Sequence, residues 1–442
     1  MIDENIKNKE FQIIDLDDKA RGIAKSDGLI YFIENAKLGE IVKIEILKDK
    51  KKYIEAKKIE TVRKSPFLIE KNISENSLCG IFDLYDIKYK KQVEYKKDLI
   101  INTINRISNE KLKDIEFVEA SQRYNYRNKI ELKVSSEGKL SFFARNSNDN
   151  IFINDCIMAS KEINSIIPKL QEIIDRFNLK GYDSNSNQGL IKNIILRSTY
   201  LGDVMGILVF NEFYDFKDFY NELENMDIFD SFYVSYNNKS RNYKILDLHH
   251  VFGKKKITEE MGDFKFNISP KAFFQVNRDI AYKIYLKAKS YVEEINPEFI
   301  IDMYSGVSTT SIILSDLSKN IISVEINEDA IKDAMENAQI NNINNIEWIN
   351  KPAEKAIEEI ELNKKNSVVL FDPPRRGLES NIIEKIGNSE INNIVYISCN
   401  PATLARDIKR FKEYGFELIE VSGFDQFVNT IEVEVVCYLR RN

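Results

Sequence analysis

The sequence predicts an α/β protein of several domains: a small β-barrel first, a mixed α+β region in the middle, and an open, mostly parallel sheet at the end. Three observations carry that prediction. A chain of 442 residues is too long for one core, and ordinary domain sizes divide it into about two to four units. Short strand-like runs separated by turn residues fill roughly the first sixty positions. From about residue 260 onward, apolar strand-like runs alternate with helical patterns, which is the signature of a parallel sheet with helices on both faces.

In the first region the strands are FQIIDL, GLIYFI, GEIVKIEIL and KYIEAKKIETV, with turns at Gly22, Asp27-Gly28 and Lys37-Leu38-Gly39. Strands this short and regular predict a small antiparallel barrel over residues 1–62. The central domain spans 63–258 and opens with a linker at Ser65-Pro66. Val93, Lys97, Ile100, Ile101 and Ile104 fall near one face at helical spacing, so 90–107 is an amphipathic helix. KIELKV, LSFFA, NIILRS and VMGILVF follow as strands, with a helix at about 160–177.

In the third region, 259–442, the strands are FIIDMY, NIISVEIN, SVVLFD, NIVYIS, FELIEVS and IEVEVVCYL. Helices fit 279–293, 308–317, 328–341, 379–387 and 402–414. A short loop without a helix joins the last two strands, so these two are antiparallel. Ligands of such sheets sit beyond the carboxyl ends of the strands.

Composition excludes several classes. Hydrophobic residues at 43% and charged residues at 30% describe an ordinary globular chain rather than a disordered one. There is no run of about eighteen apolar residues, and MIDENIKNKE lacks an apolar signal core, so a cytoplasmic protein without a membrane partner is expected. Cys79, Cys156, Cys399 and Cys437 lie far apart and are expected to be reduced. Residues 1–135 carry 28 Lys+Arg against 24 Asp+Glu, whereas the whole chain is at −6. A cationic front on an acidic rear is compatible with a nucleic-acid grip, although offsets of this size are common elsewhere.

The first strand of the third region ends in Asp302-Met303-Tyr304-Ser305-Gly306-Val307-Ser308-Thr309, and a helix begins there. Gly306 permits a tight turn under a ligand, and a helix N-terminus offers free N–H groups. The second strand ends at Glu325, where a carboxylate can take both hydroxyls of a ribose. The loop lacks the further glycines that admit a pyrophosphate. This argues for an adenosine ligand without phosphates, which S-adenosylmethionine satisfies.

Three motifs occupy later strand ends: Phe371-Asp372-Pro373-Pro374-Arg375-Arg376-Gly377, Ser398-Cys399-Asn400-Pro401, and Glu434 in the closing hairpin. A thiol beside a carboxylate and a methyl donor is the minimum set for methylating the C5 carbon of uracil, which is too weak a nucleophile unaided. A thiolate adding to C6 makes C5 nucleophilic, and a base then removes the C5 proton so that the thiol can leave. Cys399 precedes a helix, a position that lowers a thiol pKa. Asp372 reads either as a turn cap or as a group orienting the uracil edge or the cofactor amine. Tyr304 and Gln275 read either as core aromatic and solvated amide or as cofactor contacts. His249-His250 fall in a loop with no assigned role, and Cys437 and Cys79 read as structural.

Together with Ala20-Arg21-Gly22-Ile23-Ala24, Tyr126-Arg127-Asn128-Lys129, Phe273 to Asn277 and SCNPATLARD, these motifs resemble the RNA uracil-C5 methyltransferase family, in the branch with an N-terminal TRAM domain. The resemblance implies an OB-like TRAM barrel, a central RNA-binding domain and a Rossmann-like methyltransferase domain against which the 90–107 helix packs. It implies S-adenosylmethionine held by Gln275, Tyr304, Glu325 and Asp372, Cys399 as nucleophile and Glu434 as proton acceptor. RNA is the implied partner, with 23S rRNA preferred to tRNA and the enzyme a monomer. Lys88, Lys90, Lys91, Arg127 and Lys129 are candidates for phosphate contacts, which compete with the reading of a merely solvated face.

The chain departs from the family pattern in places. Many TRAM-bearing members hold an iron–sulfur cluster on four cysteines, and here only Cys79 and Cys156 match, so no cluster is expected. Ser305 and Ser308 replace cysteine and glycine, and Val428-Asn429-Thr430 and Glu432 replace Pro-His-Thr and a second histidine. A catalytically silent RNA-binding factor of the same fold is the alternative that those changes motivate.

Overall fold

The computed structural model describes residues 9–69, 83–143, 149–213, 216–238, 242–362 and 366–441. Cys79, with Gly80 to Phe82, lies outside them. Two compact units are present: one holds the N-terminal region with Phe82–Lys96 and Asn429–Ile431, the other the rest of the chain.

The first unit is built on a six-stranded sheet in the order Phe11–Gln12, Ile41–Asp49, Tyr53–Arg63, Leu29–Glu34, Gly22–Ser26, Asp15–Leu16. Alternate residues face inward, so Tyr31 and Ile33, Val42 and Ile44, Ile54 and Ala56 are buried. The all-antiparallel expectation fails at one pair, because Leu29–Glu34 runs parallel to Tyr53–Arg63. One reversed strand, Ile41–Asp49, stands between them in the chain and pairs with the far side of Tyr53–Arg63. Gly22 is not a turn but opens a strand. A side chain there would meet Ala36 Cβ and Ile13 Cγ2 at 2.9 Å. The turn falls at Asp17–Ala20, where Asp17 Oδ1 accepts from the N–H groups of Lys19 and Arg21.

The second unit contains two large sheets. The central one has seven strands in the order Asn150–Phe152, Leu140–Phe143, Lys129–Val134, Ile191–Ser198, Val204–Phe210, Ser231–Tyr236, Asp247–Gly253. Helix Lys217–Asn225 bridges its one parallel pair, Val204–Phe210 with Ser231–Tyr236. His249 and His250 stand in the edge strand Asp247–Gly253, not in a loop. No residue of that strand is fully buried, and its exposed and half-buried residues do not alternate, so it carries no strand signature in the sequence.

The third region forms an eight-stranded sheet: Ile346–Asn350, Asn320–Glu325, Phe299–Met303, Ser367–Phe371, Asn393–Ser398, Glu434–Arg440, Glu417–Phe424, Glu116–Val118. The first five are parallel and Glu434–Arg440 is antiparallel to both of its neighbours. The edge strand Glu116–Val118 arrives from far upstream and pairs parallel with Glu417–Phe424. Its core joins Met303, Phe371, Tyr396 and Val435 to Ile100 and Ile104 of helix Tyr89–Ser108. Gly423 admits this helix, since a Cβ there would lie 2.7 Å from Ile100 Cδ1.

Candidate active site

Strand Phe299–Met303 ends in a turn held by backbone strain and a carboxylate. Tyr304 has φ +66° and Ser308 φ +56°, positions that non-glycine residues adopt only when their surroundings enforce them. Glu325, at the end of the neighbouring strand, accepts from Gly306 N–H at 3.0 Å and from Asn327 N–H at 2.8 Å. The space above Gly306 is open, with no atom within 4 Å of where a Cβ would stand. The helix that follows is only Thr309–Ile313, shorter than the expected 308–317, and Ser308 supplies no side-chain cap. Ser308 instead hydrogen-bonds Ser323 at 2.7 Å, and Ser311 donates to Asp302 Oδ2 at 2.6 Å.

Asp302 is buried, and its Oδ1 has no partner among the described residues. Burial pushes its carboxyl up to about 7, against the Ser311 hydrogen bonds and with help from the Glu325 charge. Asp372, one strand across, is pushed to about 7 by burial and by the Asp302 charge. Tyr304 donates to Glu354 at 3.4 Å.

Sheet register places the thiol beside the second candidate. Ser398 pairs with Val435 in antiparallel register, so Cys399 emerges next to Glu434. Glu434 is 3% exposed, and burial together with the charges of Asp372 and Glu432 raises its pKa far above the usual carboxylate range, with Arg375 opposing. Cys399 is pushed up to about 11, by burial first and then by Glu434, again with Arg375 opposing. The expectation of a lowered thiol pKa is therefore overturned. The helix behind it, Pro401–Lys412, spends its first N–H groups on its own cap: Asn400 Oδ1 accepts from Ala402 at 3.0 Å and Thr403 at 3.4 Å.

The spacing within SCNPATLARD now has a physical reason, because its polar residues share one helix face that clamps the Asp372–Gly377 loop. Asn400 Nδ2 and Thr403 Oγ1 both donate to Arg375 O, at 3.1 and 3.2 Å. Arg406 donates to Arg376 O and Leu378 O, and buried Asp407 accepts from Leu378 N–H and Tyr396 Oη at 2.9 Å each. Gly377, at φ +74°, passes so close that a Cβ would lie 2.6 Å from Asp407 Oδ2.

Gln275 is positioned from the other side. Its Oε1 accepts from Gln426 Nε2 and its backbone O from Asn128 Nδ2, both at 3.1 Å. Asn277 caps helix Arg278–Ile295 and donates to Gln426 O at 3.2 Å. Tyr285 on that helix is a site residue that sequence reasoning missed. It is buried within the fields of Asp372, Glu434 and Asp302 and hydrogen-bonds Gln275. At helical spacing it looks like any core aromatic, so no signal marks it. Arg375, which pairs with Glu432 and faces Cys399, was also passed over.

Of the basic residues considered for phosphate contacts, Arg127 donates through Nε to Lys129 O at 2.9 Å, and Lys129 pairs with Glu131 at 3.4 Å. Cys156 and Cys437 are buried. Among the described residues no group of three or more His, Cys, Asp or Glu side chains is arranged to hold a metal ion. No helix among them is long and apolar enough to cross a membrane.

A crevice with open space over Gly306, a carboxylate at the end of the second strand and two carboxyls raised by burial without an ion-pair partner among the described residues fits S-adenosylmethionine, and the fold with this site defines a Rossmann-like methyltransferase. The sequence profile of the tRNA (uracil-5-)-methyltransferase family matches residues 88–442, and that of the TRAM domain matches 9–59. The chain belongs to that family: it is an S-adenosylmethionine-dependent RNA uracil-5-methyltransferase with a TRAM domain. It is 33% identical to an uncharacterized RNA methyltransferase of Clostridium acetobutylicum, covering 98% of each chain. It is also 33% identical to one of Fusobacterium nucleatum, covering 95% of this chain and 93% of the other. The crystal structure of Pyrococcus abyssi tRNA (uracil-54, C5)-methyltransferase with S-adenosyl-L-homocysteine superposes with a TM-score of 0.79 at 26% identity, covering 98% of this chain and all of that one.

Proposed function

We propose that the protein methylates C5 of a uridine in 23S rRNA through a transient covalent bond from Cys399 to C6, with Glu434 taking the C5 proton. The observation that carries this reading is the antiparallel register that sets Cys399 beside Glu434 at the carboxyl end of the sheet. Gln275, Tyr304, Glu325 and Asp372 would hold the cofactor, which when bound supplies an electrophilic methyl group. Cys399 would lose its proton to solvent and its sulfur would bond C6, which turns C5 into a carbanion-like centre that would take the methyl as its bond to the sulfonium breaks, leaving S-adenosylhomocysteine. Glu434, in its ionised form, then accepts the C5 proton, the S–C6 bond breaks, and the thiolate is restored. Arg375 stabilises the thiolate form against the surrounding carboxyls. To expose both C5 and C6, the uridine must leave its stack.

A TRAM domain resembles the ribosomal RNA members of the family more than its bacterial tRNA members, which supports a ribosomal substrate. Full-length similarity to an enzyme whose substrate is tRNA favours the second reading, a tRNA uridine. Mapping 5-methyluridine in rRNA and tRNA from a deletion strain separates them. Loss of one or more methyl groups in 23S rRNA, restored by the wild-type gene and not by Cys399→Ala, is expected. Loss confined to tRNA would replace the ribosomal reading, and loss in neither would remove both.

A further inference from the structure

Behind Gln275 lies a second pocket, of about 350 Å³, near the small end of the range for ligand cavities. Tyr126, Asn128 and Asn277 form part of its lining. Asn128 and Asn277 are the same side chains that hold Gln275 and Gln426 in place, so pocket and cofactor crevice share a wall.

Glu259 also lines the pocket, 1% exposed. Its Oε1 accepts from the N–H groups of Tyr200 and Glu260 at 3.0 Å each, whereas Oε2 has no partner among the described residues. Burial pushes this carboxyl up to about 7 against those two N–H groups, and a further donor on Oε2 would favour its charged form. The nearby guanidinium of Arg278 is engaged elsewhere, with Asp279 at 2.7 Å and Glu260 O at 3.2 Å, and no ion pair joins it to Glu259 among the described residues. Thr199 Oγ1, also on the lining, is buried without a partner. At the mouth stands Tyr200, 70% exposed, with the Arg278 guanidinium 3.9 Å from its ring centroid.

Two helix N-termini, at Ser160 and Asn277, open on this space. They do not make it an anion site, because Glu162, Asp279 and Glu259 line the same volume. What fits a carboxylate with one oxygen still open to a donor, beside an exposed aromatic ring, is a flat, neutral group with N–H donors on its edge. Carboxylates accept from nucleobase amino groups, and unstacked bases of RNA stack on aromatic side chains.

We infer that this pocket takes an amino-bearing nucleobase of the same RNA, near the target uridine, with its amino group on Glu259 and its face on Tyr200. The inference rests on the reading of the protein as an RNA-modifying enzyme.

The test uses the full-length enzyme and a transcript that it methylates. Each nucleotide flanking the target is replaced in turn by the analogue lacking only the amino group: inosine for guanosine, purine riboside for adenosine, 2-pyrimidinone riboside for cytidine. One position is expected to raise KM about tenfold with kcat unchanged, and its identity names the base. In Glu259→Gln that penalty should shrink at least threefold. Tyr200→Ala, a change at an exposed side chain that leaves the fold intact, should raise KM on unmodified RNA about tenfold. The inference is overturned if no position is sensitive, or if the sensitive position costs the same in both variants as in wild type. Absence of wild-type turnover on every transcript would instead sink the functional reading itself.

Discussion

The reactivity of the Cys399 thiol gives the sharpest quantitative expectation. An ordinary cysteine titrates near 9.0, and Cys399 is pushed up to about 11. At pH 8 its thiolate fraction is therefore about a hundredfold lower than that of an unperturbed cysteine. Iodoacetamide alkylation, followed by mass spectrometry of the peptide that holds Cys399, should rise about tenfold per pH unit up to a half-point near pH 11. Glu434→Gln removes the largest charge that opposes ionisation, so its half-point should fall but stay above 9.0, because burial remains the leading cause. Arg375→Ala removes the opposing cation and should move the half-point up. A wild-type half-point at or below pH 9, or one indifferent to Glu434→Gln, would refute the electrostatic picture of the site.

Further expectations follow from the same geometry. The carboxyls of Asp302 and Asp372 are raised to about 7, and a bound ligand of net positive charge lowers them again. Binding of S-adenosylmethionine should release protons at pH 7 and tighten from pH 5 to pH 8, with a smaller release for S-adenosylhomocysteine, which lacks the sulfonium. Calorimetry in buffers of different ionisation enthalpy measures this, and equal release for the two ligands would contradict it. Glu325→Ala removes hydrogen bonds to a charged acceptor worth about 1.5–3 kcal/mol, so cofactor affinity should fall at least tenfold by calorimetry, and an unchanged Kd would show that Glu325 does not hold the ribose. Asp407 is fully buried with Tyr396, Leu378 and Arg406 on it. Asp407→Ala leaves the buried Tyr396 hydroxyl and Leu378 N–H without this acceptor and should lower unfolding free energy by about 2–5 kcal/mol, and a loss below about 1 kcal/mol in urea titration would show that the clamp is not structural. Glu434→Gln should accumulate an RNA adduct on ordinary uridine, visible on a denaturing gel, because the C5 proton then has no acceptor. Turnover at the wild-type rate would reassign the base.

Much of the third region was legible because its strands are buried on both faces and read as continuous apolar runs, as in Ser367–Phe371 and Asn393–Ser398. Strands without that signature escaped. Glu116–Val118 has three residues and pairs with a strand some three hundred positions away, a partnership that local pattern does not encode. The position of Cys399 could be read from its motif, but the direction of its pKa could not. A helix N-terminus is visible in sequence, whereas the Asn400 cap that occupies it and the carboxyls of Glu434 and Asp372 converge only through the register of distant strands. Tyr285 was invisible for the same reason.

The central claim is the covalent role of Cys399, and one measurement addresses it directly: incubation with 5-fluorouridine RNA and S-adenosylmethionine, then denaturing electrophoresis and mass spectrometry of the linked peptide. Fluorine cannot depart from C5 as a proton does, so the adduct should persist, map to Cys399 and vanish in Cys399→Ala. Tight binding of the same RNA by the wild-type enzyme with no denaturation-resistant complex would contradict the account.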